Sequence, residues 1–138
     1  DWKEAPAATL ASLSTMIANL AMGADVTWDG KKFTNHRLGI TGLMDQNGYI
    51  CFGPNCGNLI IQWVYDTQKS DTLKGKYTIN IPISMNFLGC ATSGTGDDST
   101  NIVDWSTTSI TVKTFQSHMT DTTHQVRRPF HAILIGKN

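Results

Sequence analysis

The chain has 138 residues, enough for one domain and a short appendage, and its 11 basic and 11 acidic residues give a formal net charge of zero. This balance argues against nucleic acid as a partner, because binding a phosphate backbone needs a surplus of basic residues. No run of about 18 apolar residues occurs, which predicts no membrane insertion. The 18 Thr, 9 Ser and 9 Asn suit strands and turns, so the composition favours an all-β fold.

The first predicted element is a helix over residues 7–22, which are rich in Ala, Leu and Met and are followed by Gly23. Its apolar residues repeat at spacings of three and four, the pattern of a coiled-coil seam: Leu10, Leu13, Ile17 and Leu20. Two heptads are too short for a stable isolated coiled coil. Two readings stay open, a helix packed on its own domain or a bundle of several copies. Because the chain begins without Met, we expect a piece of a longer polypeptide or a processed product.

Residues 24–47 are predicted to be a transition. Asp29-Gly30 indicates a hairpin turn, whereas Asn35 to Gly42 shows no clear period and suggests a loop or a strand-poor neck. We therefore expect two regions, a helical and neck segment at 1–47 and a β domain at 48–138.

From Gly48 onward the hydrophobic period is two, which is typical of strands. Residues 58–65 are apolar on both faces, so we expect this strand to be central in its sheet or covered on both sides. Residues 76–87 alternate most clearly and predict one long strand, unpaired or bulged at Pro82. Further strands are predicted at 49–52, 88–92, 102–105, 109–115 and 130–135. Six or seven strands without an intervening helix predict a small antiparallel β-sandwich.

Few residues are arranged for catalysis or metal binding. The three cysteines are odd in number and lack a common zinc spacing, so we expect free thiols rather than a Cys51–Cys56 bridge. The four histidines form no metal motif. The only close carboxylates, Asp97, Asp98 and Asp104, are more typical of turns than of a glycosidase pair. We therefore predict no catalytic residue, no metal site and no cofactor, and favour binding over catalysis.

Recognition is expected on two long polar loops of the sandwich, at 93–101 and 116–128. Trp105 has two open readings, a core tryptophan at the start of a strand or an exposed ring that stacks on a sugar. The receptor-binding candidates are Asp97, Asp98, Asn101, Asp104 and Trp105 near the first loop, and His118, Asp121, His124 and Arg127 in the second.

Several segments of the β domain resemble the C-terminal domains of bacteriophage tail fibres. Gly48-Tyr49-Ile50 and Asn58-Leu59-Ile60-Ile61-Gln62-Trp63 resemble their "G-Y-I … G-L-I-I-Q-W-G" opening. Tyr77-Thr78-Ile79-Asn80-Ile81-Pro82-Ile83, Ser109-Ile110-Thr111-Val112 and the closing Ala132-Ile133-Leu134-Ile135-Gly136 follow in the same order. The resemblance covers residues 48–138.

The resemblance implies a lectin-like fibre tip preceded by a trimeric coiled coil. It implies a homotrimer on the virion, made in the host cytoplasm, that attaches to a bacterial surface glycan, such as lipopolysaccharide, or to an outer-membrane protein. Two alternatives stay open: a fibre-borne glycan depolymerase or esterase that uses Asp97, Asp98 and Asp104, and a trimerisation cap that binds nothing.

Overall fold

The computed structural model describes residues 9–14, 26–70, 76–94, 98–115 and 127–138. A single 3₁₀ turn at Pro54–Cys56 accompanies ten strands in this part of the chain. The strands are β1 (Val26–Trp28), β2 (Lys32–Asn35), β3 (Ile40–Leu43), β4 (Gly48–Cys51), β5 (Leu59–Asp66), β6 (Tyr77–Asn80), β7 (Asn86–Gly94), β8 (Ser99–Trp105), β9 (Ser109–Phe115) and β10 (Phe130–Lys137).

The strands form two sheets, and every strand pairing is antiparallel. The large sheet has seven strands in the order β1-β2-β3-β4-β5-β10-β7, and the small sheet has the order β6-β9-β8. Seven of the strands follow residue 47, as the sequence predicts. The predicted all-β fold is confirmed.

The core lies between the two sheets and is built by strict alternation. Along β10, Phe130, Ala132 and Leu134 point inward while His131 and Ile133 point outward. Ile110 and Val112 of β9 and Ile60 and Val64 of β5 complete the buried cluster from opposite sides. A half-buried strand exposes every second residue, so the predicted strands at 109–115 and 130–135 are confirmed.

The predicted long strand at 76–87 is wrong. The chain instead runs as β6 in the small sheet, crosses at residues 81–85, and enters the large sheet as β7. Pro82 lacks an N–H and cannot continue a ladder. There the side chain of the fully buried Gln62 makes the backbone hydrogen bonds that a neighbouring strand would make. Its Nε2 donates to the Ile83 carbonyl at 3.0 Å, and the Ile83 N–H donates to its Oε1 at 3.2 Å.

Residues 26–43 form three strands rather than a strand-poor neck. The predicted hairpin at Asp29-Gly30 is confirmed by the pairing of β1 with β2, and β3 pairs with β4 through Thr41 and Cys51. The expectation of a strand-poor neck is therefore wrong, because the large sheet continues across residue 47, and the expected loop is limited to the turn at residues 36–39. A domain boundary at this position stays a prediction.

The helical prediction falls mostly on residues outside the described part. Residues 9–14 are helical, and they include Leu10 and Leu13. The rest of the predicted helix, with Ile17 and Leu20, lies outside the described residues. Among the described residues, none belongs to a helix with the length and apolar character needed to span a bilayer.

Candidate functional site

The most prominent exposed group among the receptor-binding candidates is the ring of Trp105. It ends β8 and is 57% exposed. Its ring lies against Phe87 at the start of β7, with the ring centroids 6.0 Å apart and the planes tilted by 33°. The reading of Trp105 as a core tryptophan at a strand start is therefore wrong.

Two β-bulges orient these rings toward each other. Ile102 pairs with Val112 and Asp104 with Thr111, so Val103 is an extra residue in β8. In the same way Ile135 pairs with Gly89 and Gly136 with Phe87, which leaves Leu88 extra in β7. An extra residue inverts the alternation of side chains, and bulges at sheet edges often re-aim a side chain near a functional site. β7 is an edge strand of the large sheet, and β8 is an edge strand of the small sheet. Both rings therefore lie at the open edge between the two sheets.

Trp105 divides this edge into two adjoining hollows, which together we call the Trp105 cleft. The larger hollow, of about 360 Å³, is lined by Met85, Asn86, Phe87, Trp105, Ser106 and Thr107. The smaller, of about 100 Å³, is lined by Phe87, Leu88, Gly89, Cys90 and Trp105. Among the described residues, no charged side chain lines either hollow.

The other candidates from the first loop do not gather around Trp105. Asp98 forms an ion pair with Arg128 at 3.6 Å. Asn101 is exposed on β8 opposite Lys113. The exposed Asp104 accepts the N–H of Trp105 at 2.8 Å, but it pairs with Thr111 and so occupies the face of the small sheet opposite to Trp105. The predicted polar loop is also shorter, because β7 extends to Gly94 and β8 begins at Ser99.

The carboxylates Asp98 and Asp104 cannot act as an acid pair. They are six positions apart along an extended segment, which places them roughly 20 Å from each other at the rise of a strand. A glycosidase pair needs a separation of about 5–10 Å. Asp97 lies outside the described residues.

Arg127, the one described candidate of the second loop, is bound within the fold. Its Nε and Nη2 donate to the buried Asp66 carboxylate at 3.0 and 3.2 Å, and its guanidinium stacks on the Tyr77 ring at 4.5 Å. Its backbone exchanges two hydrogen bonds with Ser70. These contacts fasten the end of the second loop to β5. His118, Asp121 and His124 lie outside the described residues.

A second exposed surface is the outer face of the large sheet. Directly paired residues share a face, so β5 and β10 place six side chains together there. We call this set the outer patch: Ile61, Trp63, Tyr65, His131, Ile133 and Ile135. Ile133 is 56% exposed, and the rings of Tyr65 and His131 stack with centroids 4.2 Å apart. β5 itself is central in the large sheet, between β4 and β10, and its side chains on this face are partly buried, so the expectation of a central strand is confirmed.

The described part of the chain holds no cluster of three metal-ligating side chains. Its three cysteines are free thiols, with Cys51 buried and Cys56 and Cys90 exposed.

No protein-family profile matches the chain, and no curated protein matches it in sequence. Solved structures do match. A C-terminal segment of the R1 pyocin fibre of P. aeruginosa superposes with a TM-score of 0.55 at 16% identity, over 70% of this chain and 28% of that one. An N-truncated R2-type pyocin tail fibre gives 0.53 at 21% identity, over 71% and 37% of the two chains. An N-truncated R1-type fibre gives 0.54 at 16% identity, over 70% and 84%.

The chain has the fold of a pyocin tail-fibre domain. The resemblance to fibre C-terminal domains is thereby confirmed at the level of the fold. The matched region makes up about a third of the longer fibre chains and most of the N-truncated R1-type chain.

Proposed function

We propose that this chain is a receptor-binding domain at the distal end of a tail fibre, which attaches a virion to the surface of a bacterial cell. The observation that carries the proposal is the shared fold with pyocin fibres. An N-truncated fibre keeps its C-terminal end, and the match spans 84% of such a chain, so the common domain belongs to that end.

The proposal includes three copies of the chain per fibre tip. Two exposed apolar surfaces support self-association. Leu10 and Leu13 are 65% and 49% exposed within one chain, as a/d residues that pack against other chains would be. The outer patch presents neighbouring apolar side chains of the kind that marks protein interfaces. The target on the cell is a glycan or an outer-membrane protein.

The test is to incubate the fluorescently labelled full chain with a panel of Gram-negative strains that includes P. aeruginosa, the organism of a similar fibre. Flow cytometry should show decoration of a subset of strains, with a heat-unfolded sample as the control. If the folded chain decorates no strain, the attachment function is contradicted. The alternative of a trimerisation cap that binds nothing would then remain.

A further inference from the structure

We propose that the Trp105 cleft binds a neutral saccharide and that the cell-surface target is therefore a glycan. This inference rests on the proposed attachment function and specifies its site and ligand. It starts from the way the chain positions one aromatic ring for contact with a ligand.

The exposure of Trp105 follows from the strand pairing of the fold. Two separate bulges, at Leu88 and Val103, turn Phe87 and Trp105 toward each other on facing edge strands. Phe87 supports one side of the indole, which stays 57% exposed at the open edge of the sandwich. A rigid aromatic ring with one apolar face toward solvent suits the apolar C–H face of a sugar ring.

Polar groups adjoin this ring without partners of their own. Asn86 and Thr107 are among the residues that line the larger hollow, and neither side chain makes a hydrogen bond to another described residue. The Ser106 hydroxyl, in contrast, already has a hydrogen-bond partner within the β8–β9 turn, because it accepts the N–H of Ser109 at 3.1 Å. An amide and a hydroxyl supply both donors and acceptors, which is what sugar hydroxyls require.

Charge and size favour a small neutral ligand over an anionic group. The described residues of the lining include no charged side chain that would neutralise a phosphate or a carboxylate. The larger hollow, of about 360 Å³, is within the range of roughly 300–1,000 Å³ that is usual for small-ligand sites, and the smaller hollow adjoins it.

The chain offers a matched control for Trp105. Trp28 on β1 is also 57% exposed and also lies tilted on a phenylalanine, with its centroid 6.5 Å from that of Phe33. Its strand β1 is the edge strand of the large sheet opposite to β7, which carries Phe87. Trp105→Ala should weaken cell decoration by roughly tenfold or more, as truncation of an aromatic hot spot does. Trp105→Tyr should keep most of the binding, and Trp28→Ala should bind like the parent chain.

The experiment measures decoration of a strain that the labelled parent chain binds. Cells are pretreated with periodate, which cleaves vicinal diols of sugars, or with protease, which removes exposed protein. The inference predicts that periodate abolishes decoration and that protease leaves it unchanged, and that Trp105→Ala alone among the folded variants loses it. Decoration that survives periodate and disappears with protease would overturn the inference, as would equal binding by Trp105→Ala and Trp28→Ala. Absence of decoration on every untreated strain would instead contradict the proposed function itself.

Discussion

The two faces of β5 and β10 are both rich in apolar residues, yet the chain covers only one of them. On the inner face Ile60, Val64 and Leu134 are buried under the small sheet. On the outer face Ile133 and Ile135 remain exposed in a single chain. In these two strands the fully buried apolar side chains thus lie on the inner face, whereas those of the outer face are partly buried or exposed. The outer face is available for contacts with other molecules, which in our proposal are copies of the chain.

Of the changes that distinguish the two faces, Phe130→Ala on the inner face should reduce the free energy of unfolding most. Phe130 is fully buried, and removing such a ring costs about 3–5 kcal/mol of unfolding free energy. Denaturant unfolding should show this loss at every protein concentration. Ile133→Ala is the matched change on the outer face of the same strand, and its effect should depend on concentration because assembly is involved. Equal, concentration-independent losses in the two variants would contradict the distinction between the faces.

Ile133→Asp should break self-association while the fold is kept. Burial of an isoleucine contributes about 1.5–3 kcal/mol, which each copy would lose, and the buried carboxylate would add a penalty. Analytical ultracentrifugation should show dissociation at micromolar concentration. Far-UV circular dichroism should be unchanged. Lys113→Asp, on the small sheet, serves as the control for an added negative charge and should assemble normally.

Gln62→Leu should destabilise the inner face by about 1–3 kcal/mol, although leucine is more apolar than glutamine. The change leaves the Ile83 N–H and carbonyl without their partner, and an unsatisfied buried polar group carries a penalty of this size. Thermal unfolding measures the effect. Gln68→Leu, on an exposed residue after β5, is the control. A Gln62→Leu protein as stable as the parent would show that the side-chain bridge contributes nothing.

The smallest effect is expected for Tyr77→Phe. The Tyr77 hydroxyl is buried without a hydrogen bond among the described residues, since the nearby Thr114 hydroxyl bonds to Thr100 at 2.8 Å. Its removal should stabilise the fold by about 1 kcal/mol, because the penalty for burying an unpaired hydroxyl is relieved. Burial raises the pKa of Tyr77 above its ordinary value of 10.0. The parent chain should therefore lose stability as the pH rises above about 10, and Tyr77→Phe should lose less.

The alternation of strands was predictable from sequence, but the path of the chain between sheets was not. Period-two patterns locate β5, β9 and β10 because each buries every second residue. The segment 76–87 keeps its alternation of burial while it changes sheet, so the pattern alone cannot show the break. The break depends on Gln62, a residue 21 positions away that binds Ile83.

The candidate site was predictable only in part, for the same reason. An exposed Trp105 among polar residues could be suggested from sequence. Its partner Phe87 and the bulges at Leu88 and Val103 depend on pairing with β9 and β10, which local sequence does not reveal. The role of Arg127 was missed because Asp66 lies 61 positions away.

The molar mass of the intact chain in solution tests most directly whether the outer face serves assembly into a fibre tip. Multi-angle light scattering at micromolar concentration should give three times the chain mass of 15.1 kDa. The same sample of Ile133→Asp should shift toward the mass of one chain. A parent chain that is monomeric at that concentration, with residues 1–25 intact, would contradict the account.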